Sequence, residues 1–134
     1  MEEGSDRGAR GRAVTAERVR DYLSGYSYTF AAEIELQDGL EHVLSGMSLG
    51  EDDLTYEREK RLGPGDRIDF LLDCGVGIEV KVAGQTGRVA EQLIRYAGYE
   101  RVRELLLVTS VVHHLQIPAS LCGKPVSILW LSAL

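Results

Sequence analysis

Fifteen residues in the middle of the chain, RIDFLLDCGVGIEVK (67–81), decide the fold that the sequence predicts. On each side of the reversal Asp73-Cys74-Gly75, apolar side chains occupy every second position, which is the period of a half-buried β-strand. These side chains are Ile68, Phe70 and Leu72 before the reversal, and Val76, Ile78, Val80 and Val82 after it. We therefore predict a β-hairpin whose first strand buries Ile68, Phe70 and Leu72 on a single face.

The segments outside the hairpin predict helices and further strands around it. Apolar residues that recur every three or four positions predict helices over 16–24, 31–45 and 88–97, with Thr15 as the first N-cap. Alternating or continuous apolar runs predict strands over 54–62, 105–111 and 126–131, with an irregular or helical link over 113–121. This order predicts an α/β fold in which helices flank a mixed central β-sheet. We expect one domain over residues 13–134, after a disordered tail over residues 1–12.

Composition and charge narrow the classes of protein that fit the sequence. The chain has 134 residues, of which 44% are hydrophobic and 27% charged, a globular balance that excludes wholesale disorder. It has no apolar run long enough to cross a bilayer and only two cysteines, so we expect a cytoplasmic protein without a membrane anchor. Residues 31–83 carry thirteen acidic and five basic side chains. This excess leaves two interpretations open, a solvated acidic surface or a group of carboxylates that holds a cation.

A carboxylate–lysine constellation lies on the polar side of the predicted hairpin. Glu79 and Lys81 are two residues apart on one strand, so they share a face, and in-register pairing adds Asp69 from the other strand. The carboxylates and the carbonyl of Val80 are hard oxygen ligands of the kind that Mg²⁺ prefers. A lysine beside them can activate water and stabilise a negatively charged transition state. The alternative is an exposed cross-strand ion pair, worth about 1 kcal/mol or less.

The hairpin residues, together with a stretch of the following helix, resemble the PD-(D/E)XK nuclease superfamily. The matching residues are Asp69, the tripeptide Glu79-Val80-Lys81, and the pair Gln92 and Tyr96 in QLIRY (92–96). The last pair is similar to the Q-x-x-x-Y signature of the RecB-type branch. The resemblance implies a restriction-endonuclease-like core of order α-β-β-β-α-β, here with an extra C-terminal strand, and metal-dependent hydrolysis of phosphodiester bonds.

The resemblance also implies a role for individual side chains. Metal binding is assigned to Asp69, Glu79, the carbonyl of Val80, and Glu33 on the first core helix, with Glu35 as the second choice for the helix ligand. Catalysis is assigned to Lys81, which would activate water, with Asp69, Glu79 and Gln92 acting beside it. DNA binding is assigned to Arg88 and Tyr96, the latter lining a channel for the strand. The alternative for Tyr96 is packing in the core beside Val89 and Leu93. The proline of the motif is absent before Asp69, so Asp66, in the turn Gly63-Pro64-Gly65-Asp66, is a competing candidate.

We accordingly expect a nuclease that uses Mg²⁺ or Mn²⁺ and acts on DNA, branched and single-stranded forms included. The alternative is a catalytically inactive module of the same fold that binds nucleic acid or a protein. Small standalone proteins similar to this chain occur among phage and mobile-element proteins and act inside the host cell. A symmetric homodimer would offer two sites to two strands. We expect the neighbouring pair His113-His114 on the surface.

Overall fold

The computed structural model describes residues 14–49 and 54–133, and the predicted tail over residues 1–12 lies outside them. The described residues form three α-helices, one 3₁₀ helix and six β-strands. The helices are α1 (Ala16–Leu23), α2 (Glu33–Leu44) and α3 (Thr86–Ala97), and the 3₁₀ helix covers Val112–Gln116. The strands are β1 (Tyr56–Gly63), β2 (Asp66–Leu72), β3 (Val76–Lys81), β4 (Glu104–Thr109), β5 (Ser120–Leu121) and β6 (Lys124–Trp130).

The predicted order of helices and strands is confirmed, and most bounds differ by only a residue or two. The sequence did not predict β5, a two-residue strand inside the link over 113–121, because two residues are too few to show a period. Asp66 was expected in a turn, whereas it is the first residue of β2. Within residues 14–49 and 54–133, no helix is both long and apolar enough to cross a membrane.

All six strands belong to one mixed sheet of order β1-β2-β3-β4-β6-β5. The strands β1, β2 and β3 pair antiparallel, as expected for consecutive hairpins. Strand β4 pairs parallel with both β3 and β6, and α3 makes the crossover between β3 and β4. Strand β3 is therefore central, which explains why Val76–Val80 is buried without interruption.

Helices cover both faces of this sheet and divide the core into two clusters. On one face, α1 and α2 pack against Ile78 and Val80 of β3 and against their neighbours Leu106 and Val108 on β4. On the other face, α3 packs against a second cluster that includes Leu105 and Leu107. Glu79 is the register partner of Leu107, so its side chain lies on the α3 face.

The first helix is held to the sheet by a contact that the sequence did not reveal. The Thr15 hydroxyl caps α1 as predicted, because its Oγ1 accepts from the Arg18 amide at 3.1 Å. A second amide of this first turn, that of Ala16, donates at 2.8 Å to Glu104 Oε1 at the start of β4. The contact joins residues 88 positions apart and fixes α1 against the sheet.

Strand β2 does not keep the predicted alternation, and this break positions the carboxylates. Ile68, Asp69 and Phe70 are three consecutive buried residues. Ile68 belongs to the cluster on the α3 face, whereas Phe70 and Leu72 belong to the cluster beneath α1 and α2. The prediction that all three apolar residues share a face was therefore wrong for Ile68, because the regular pairing of β2 with β3 ends at Phe70 and the alternation of faces breaks at Asp69.

Candidate functional site

The candidate site lies where β2 and β3 stop pairing through their backbones. The register pairs Phe70 with Ile78 and Leu71 with Gly77, and continuing it places Asp69 opposite Glu79. At Asp69 and Glu79, hydrogen bonds from backbone amides to side-chain carboxylates replace the backbone–backbone hydrogen bonds between the two strands. The Val80 amide donates to Asp69 Oδ2 at 2.7 Å, and the Asp69 amide donates to Glu79 Oε1 at 3.3 Å. The two predicted carboxylates are thus brought together and locked to each other's strand.

Both carboxylates are buried rather than placed on an exposed polar face as the hairpin pattern suggested. Asp69 is 8% and Glu79 is 3% exposed. Burial, with the charges of Glu33 and Glu59 adding to it, raises the pKa of Asp69 to about 6 despite the Val80 N–H that opposes the shift. Burial and the charge of Asp69 raise the pKa of Glu79 to about 8, against the lowering effect of Lys81. Two buried carboxylates therefore repel each other with only one lysine to offset them.

Lys81 completes the predicted trio at the carboxyl end of β3. Its Nζ lies 3.5 Å from Glu79 Oε2, and its side chain is 21% exposed. The ammonium group is therefore within reach of solvent, while one side of it faces the buried carboxylate. The Lys81–Glu79 contact therefore differs from an exposed ion pair, because Glu79 is almost completely withdrawn from water.

Glu33 and Glu35 at the start of α2 have different surroundings, which bears on the choice between them. Glu33 is the first residue of the helix, half-buried, and close enough for its charge to raise the pKa of Asp69. Glu35 turns back on its own helix, and its Oε1 accepts from the amides of Ala31 and Ala32 at 2.6 and 3.0 Å. Glu35 is therefore a capping residue, and Glu33 remains the candidate helix ligand.

Sequence reasoning missed Glu59, an acidic residue beside Asp69 on the other neighbouring strand. Arg58 pairs with Phe70 and Lys60 with Ile68, so Glu59 is opposite Asp69. Its φ of 55° is left-handed, which is strained for a residue with a Cβ and marks an irregular backbone in β1 opposite Asp69. The charged run over 54–62 predicts only an exposed strand face. The signal is the pairing register, which a single sequence does not contain.

Gln92 and Tyr96 lie together on α3, as their four-residue spacing predicts. Gln92 Nε2 donates to the Tyr96 hydroxyl at 2.8 Å, and this hydroxyl donates to the Arg67 carbonyl at 2.9 Å. Burial and the charge of Glu79 raise the pKa of Tyr96, so its hydroxyl stays protonated. The residue is only 1% exposed and packs in the cluster with Val89 and Leu93, which confirms the core alternative and leaves no face for a nucleic-acid base.

The two remaining candidates, Arg88 and Asp66, differ in the contacts that their side chains make. Arg88 is exposed on the first turns of α3 and makes no hydrogen bond or ion pair with any of the described residues. Asp66, the competitor of Asp69, accepts from the Tyr99 hydroxyl at 2.7 Å and from Arg95 Nε at 3.1 Å. These two hydrogen bonds lower the pKa of Asp66. Asp66 therefore joins β2 to α3, and Asp69 is the aspartate beside Glu79.

His114 is a buried residue near the site, and the expectation of a surface histidine pair was wrong for it. Its side chain is completely buried, whereas His113 is exposed. Nε2 donates to the Gly84 carbonyl at 2.8 Å, and Nδ1 lies 2.7 Å from Thr109 Oγ1. Since the carbonyl can only accept, Nε2 carries the hydrogen of the first contact, and Nδ1 pairs with the Thr109 hydroxyl. His114 thereby ties the loop that follows Lys81 to the end of β4.

The donor set is chemically suited to a divalent cation. Within residues 14–49 and 54–133, no group of three or more His, Cys, Asp or Glu side chains is close enough to hold a metal ion. The close pair consists of Asp69 and Glu79, and Mg²⁺ is commonly held by one or two carboxylates together with waters and substrate phosphate. A cation here would also offset the burial and the neighbouring negative charges that raise both pKa values.

No family model, curated protein or solved structure matches the chain.

Proposed function

We propose that the protein is a divalent-metal-dependent nuclease of the restriction-endonuclease-like type, with the Q-x-x-x-Y arrangement on α3. One observation carries the proposal. Asp69 and Glu79 meet at the point where β2 and β3 separate, both with raised pKa values, and Lys81 lies 3.5 Å from Glu79. Buried carboxylates that repel one another beside a lysine cost stability, which favours a function over a structural role.

In this proposal, Asp69 and Glu79 bind Mg²⁺ or Mn²⁺ together with the Val80 carbonyl. Glu33 is the helix residue that would complete the ligands, although among the described residues no third carboxylate lies close enough to the pair to do so in this structure. When bound, the ion polarises the scissile phosphate and acidifies a water. The Val80 amide holds Asp69 Oδ2, and the Asp69 amide holds Glu79 Oε1, so each carboxylate is oriented by the neighbouring strand. The site is therefore rigid before any substrate enters it.

Lys81 orients the attacking water and offsets the charge that develops on the phosphate. Its partial exposure, beside a nearly inaccessible Glu79, places Nζ between the carboxylates and solvent. Gln92, whose amide nitrogen donates to the Tyr96 hydroxyl, acts as a positioning residue. We further propose DNA as the substrate, a homodimer as the active form, and action inside the cell.

A second candidate function is favoured by one finding. No third His, Cys, Asp or Glu side chain of the described residues joins Asp69 and Glu79 closely enough to form a metal-ligand cluster. An inactive module of the same fold, which binds nucleic acid or protein, would not need such a ligand. This alternative predicts binding without cleavage under every metal condition.

A cleavage panel separates the two functions. Linear duplex, circular, single-stranded and four-way-junction DNA are each incubated with the wild type in Mg²⁺, in Mn²⁺ and in chelator. We expect cleavage of at least one substrate with either metal and none with chelator, because the carboxylates alone do not activate the phosphate. The matched control is Glu79→Gln, which keeps the size of the side chain and removes its charge. Binding by the wild type with no cleavage of any substrate would favour the inactive module.

A further inference from the structure

A row of three residues crosses the sheet at the carboxyl ends of its parallel strands. Lys81 on β3 pairs with Thr109 on β4, and Thr109 pairs with Trp130 on β6. Residues that are paired in this way point to the same face of a sheet. Lys81 shares the α3 face with Glu79, two residues before it, so the row places Trp130 on the face that carries the candidate site.

The residues on either side of Trp130 agree with this orientation. Leu129 and Leu131 pack in the cluster beneath α1 and α2, whereas Ile128 packs against the cluster on the α3 face. Successive side chains of a strand alternate between the faces, so Trp130 lies on the same face as Ile128. Neighbouring strands are about 4.8 Å apart, so the backbones of Lys81 and Trp130 are about 10 Å apart along the row.

The two ends of the row are accessible, whereas its middle is closed. Thr109 is completely buried, and its hydroxyl lies 2.7 Å from Nδ1 of the buried His114. The side chain of Lys81 is 21% exposed and Trp130 is 43% exposed. A ligand that lies across this edge of the sheet can therefore contact both Lys81 and Trp130 without entering the core.

The indole ring of Trp130 has no partner among residues 14–49 and 54–133. It makes no hydrogen bond, aromatic contact or cation–π contact with them. The 3₁₀ helix, which contacts β6, adds the exposed side chains of Val112 and Leu115. These two residues are three apart and therefore lie on one side of the 3₁₀ helix. An exposed apolar surface beside a polar site is typical of a place where a ligand or partner binds.

The charge of the surrounding segments favours a polyanion as this ligand. Residues 80–90, 105–119 and 126–134 contain no acidic residue, whereas the whole chain carries a net charge of −6. The same segments contribute two cationic side chains, Lys81 and Arg88. The backbone of a nucleic acid can therefore approach along these segments without repulsion from them, and its bases provide flat apolar faces for an indole.

We propose that Trp130 is a stacking platform for an unpaired base of a DNA strand whose backbone passes Lys81 and the two carboxylates. This inference rests on the proposed nuclease function and deepens it, since it names single-stranded DNA as the substrate class. Every base has a π face, so stacking on Trp130 does not require a particular sequence. The bases of a duplex are already stacked on one another, and unstacking them costs free energy.

The test uses the fluorescence of Trp130, which is the only tryptophan of the chain. The wild type is titrated in chelator, which keeps the DNA intact, with oligothymidylate and with a duplex of the same length. The anisotropy of labelled DNA measures binding independently. We expect oligothymidylate to quench the emission, because a stacked base quenches an indole, and we expect the duplex to quench it little. This measurement needs no variant.

Two variants of Trp130 separate stacking from apolar contact. Trp130→Leu keeps apolar area without a π face, and we expect it to bind oligothymidylate about 5- to 150-fold more weakly, the equivalent of about 1–3 kcal/mol for one stacked base. Trp130→Phe should recover part of this loss. The matched control is Tyr26→Ala, which removes a ring that is 48% exposed and lies beside Tyr22 of α1, on the opposite face. It should bind as the wild type does, and equal melting temperatures establish that the variants are folded.

Several results would overturn the platform. They are an absence of binding, binding without quenching, equal quenching by the duplex, and equal affinities of Trp130→Leu and Tyr26→Ala. Emission that changes with protein concentration instead of with DNA would assign the ring to a contact between two copies of the chain. If the wild type cleaves DNA but binds it without quenching, the platform fails and the nuclease function stands. If quenching and the loss in Trp130→Leu are found but no metal supports cleavage, the nuclease function fails and the platform stands.

Discussion

Lys81 has a proposed role in catalysis but contributes little to the stability of the fold. It offsets the charge of Glu79, but its side chain is partly exposed and contributes little packing. We therefore expect Lys81→Ala to fold and to bind Mn²⁺, since lysine is not a metal ligand. Its cleavage rate should fall by about two orders of magnitude or more. Lys81→Arg should not restore the rate, because guanidinium stays protonated and has a different shape. Single-turnover cleavage measures both effects.

The control for Lys81 is the other lysine near the hairpin. Lys60 on β1 forms a 3.0 Å ion pair with Glu57, whose side chain is 65% exposed, so its contribution to stability is small. Lys60→Ala should cleave DNA as the wild type does. A Lys81→Ala protein with the same rate as Lys60→Ala would contradict the proposed role of the lysine.

The raised pKa values of Asp69 and Glu79 predict how stability depends on pH. Both carboxyls bind protons more tightly in the folded chain than in the unfolded chain, so the folded state holds more protons between about pH 4 and pH 8. Stability is therefore greatest below the unfolded pKa values and decreases as the pH rises through the folded ones. In chelator, we expect the free energy of unfolding to fall by about 2 kcal/mol or more from pH 5 to pH 8.

Glu79→Gln isolates the contribution of this pair. Without the second charge, the pH-dependent loss of stability should become much smaller, because the introduced amide cannot ionise and no longer repels Asp69. Glu91→Gln on the exposed side of α3 is the matched control and should keep the wild-type profile. Urea unfolding at a series of pH values measures all three proteins. Parallel profiles for wild type and Glu79→Gln would show that Glu79 is not perturbed.

At the scale of elements, helix α3 both packs against the sheet and positions side chains of the site. Substitutions of Tyr96 and Gln92 test these two roles separately. Tyr96 is buried, so Tyr96→Ala should cost about 3–5 kcal/mol of stability. Tyr96→Phe keeps the ring and loses the hydrogen bonds to Gln92 and Arg67, so we expect a loss of about 1–2 kcal/mol and slower cleavage. Gln92→Ala should slow cleavage with little change in stability. Denaturant midpoints and turnover are measured on the same samples.

The outcome for α3 is informative in either direction. Gln92→Ala with normal turnover, together with a normal rate per folded molecule for Tyr96→Phe, would limit α3 to packing. The Q-x-x-x-Y spacing would then reflect a buried tyrosine and its hydrogen-bond partner, and would carry no weight for the RecB-type branch.

The loop between β3 and α3 depends on a second element, the 3₁₀ helix, through His114. His114→Ala would leave the Gly84 carbonyl and the Thr109 hydroxyl without their partner and would open a cavity. We expect a loss of about 2–4 kcal/mol. His113→Ala, on the neighbouring exposed side chain, is the control and should unfold as the wild type does. Thermal melting compares the two variants, and equal melting temperatures would contradict the assigned role of His114.

At the scale of the whole molecule, metal binding should appear as added stability. A cation that binds only the folded state stabilises it by about 2.7 kcal/mol when present at a hundred times its Kd. The gain should be larger at pH 8 than at pH 6, because the carboxylates must lose their protons to bind. Thermal melting with and without Mn²⁺ measures it, and calorimetry gives the affinity directly.

Two aspartates of β2 make a matched pair for this experiment. Asp69→Asn should abolish the stabilisation by Mn²⁺. Asp66→Asn should retain it, although it loses charge from the ion pair with Arg95. If Asp66→Asn removes Mn²⁺ binding and Asp69→Asn does not, the competing aspartate is the ligand and the site has been placed on the wrong residue of the strand.

The sequence by itself determined the order of helices and strands, the α/β class and the group Asp69, Glu79 and Lys81. These features are local. Apolar periods of two and of three to four residues set the strands and helices, and a spacing of two residues on one strand places Glu79 and Lys81 together. The hairpin then brings Asp69 to them, because its reversal is short and its register follows from the turn.

Only the tertiary structure decided how deeply this group is buried and what surrounds it. The break in alternation at Asp69, the left-handed backbone at Glu59 and the burial of Tyr96 and His114 each depend on pairing or packing between segments far apart in the chain. Alternation within one strand cannot show that Ile68 turns to the opposite face from Phe70. The raised pKa values follow from that burial, since a carboxylate is perturbed by the helices and strands that exclude water from it.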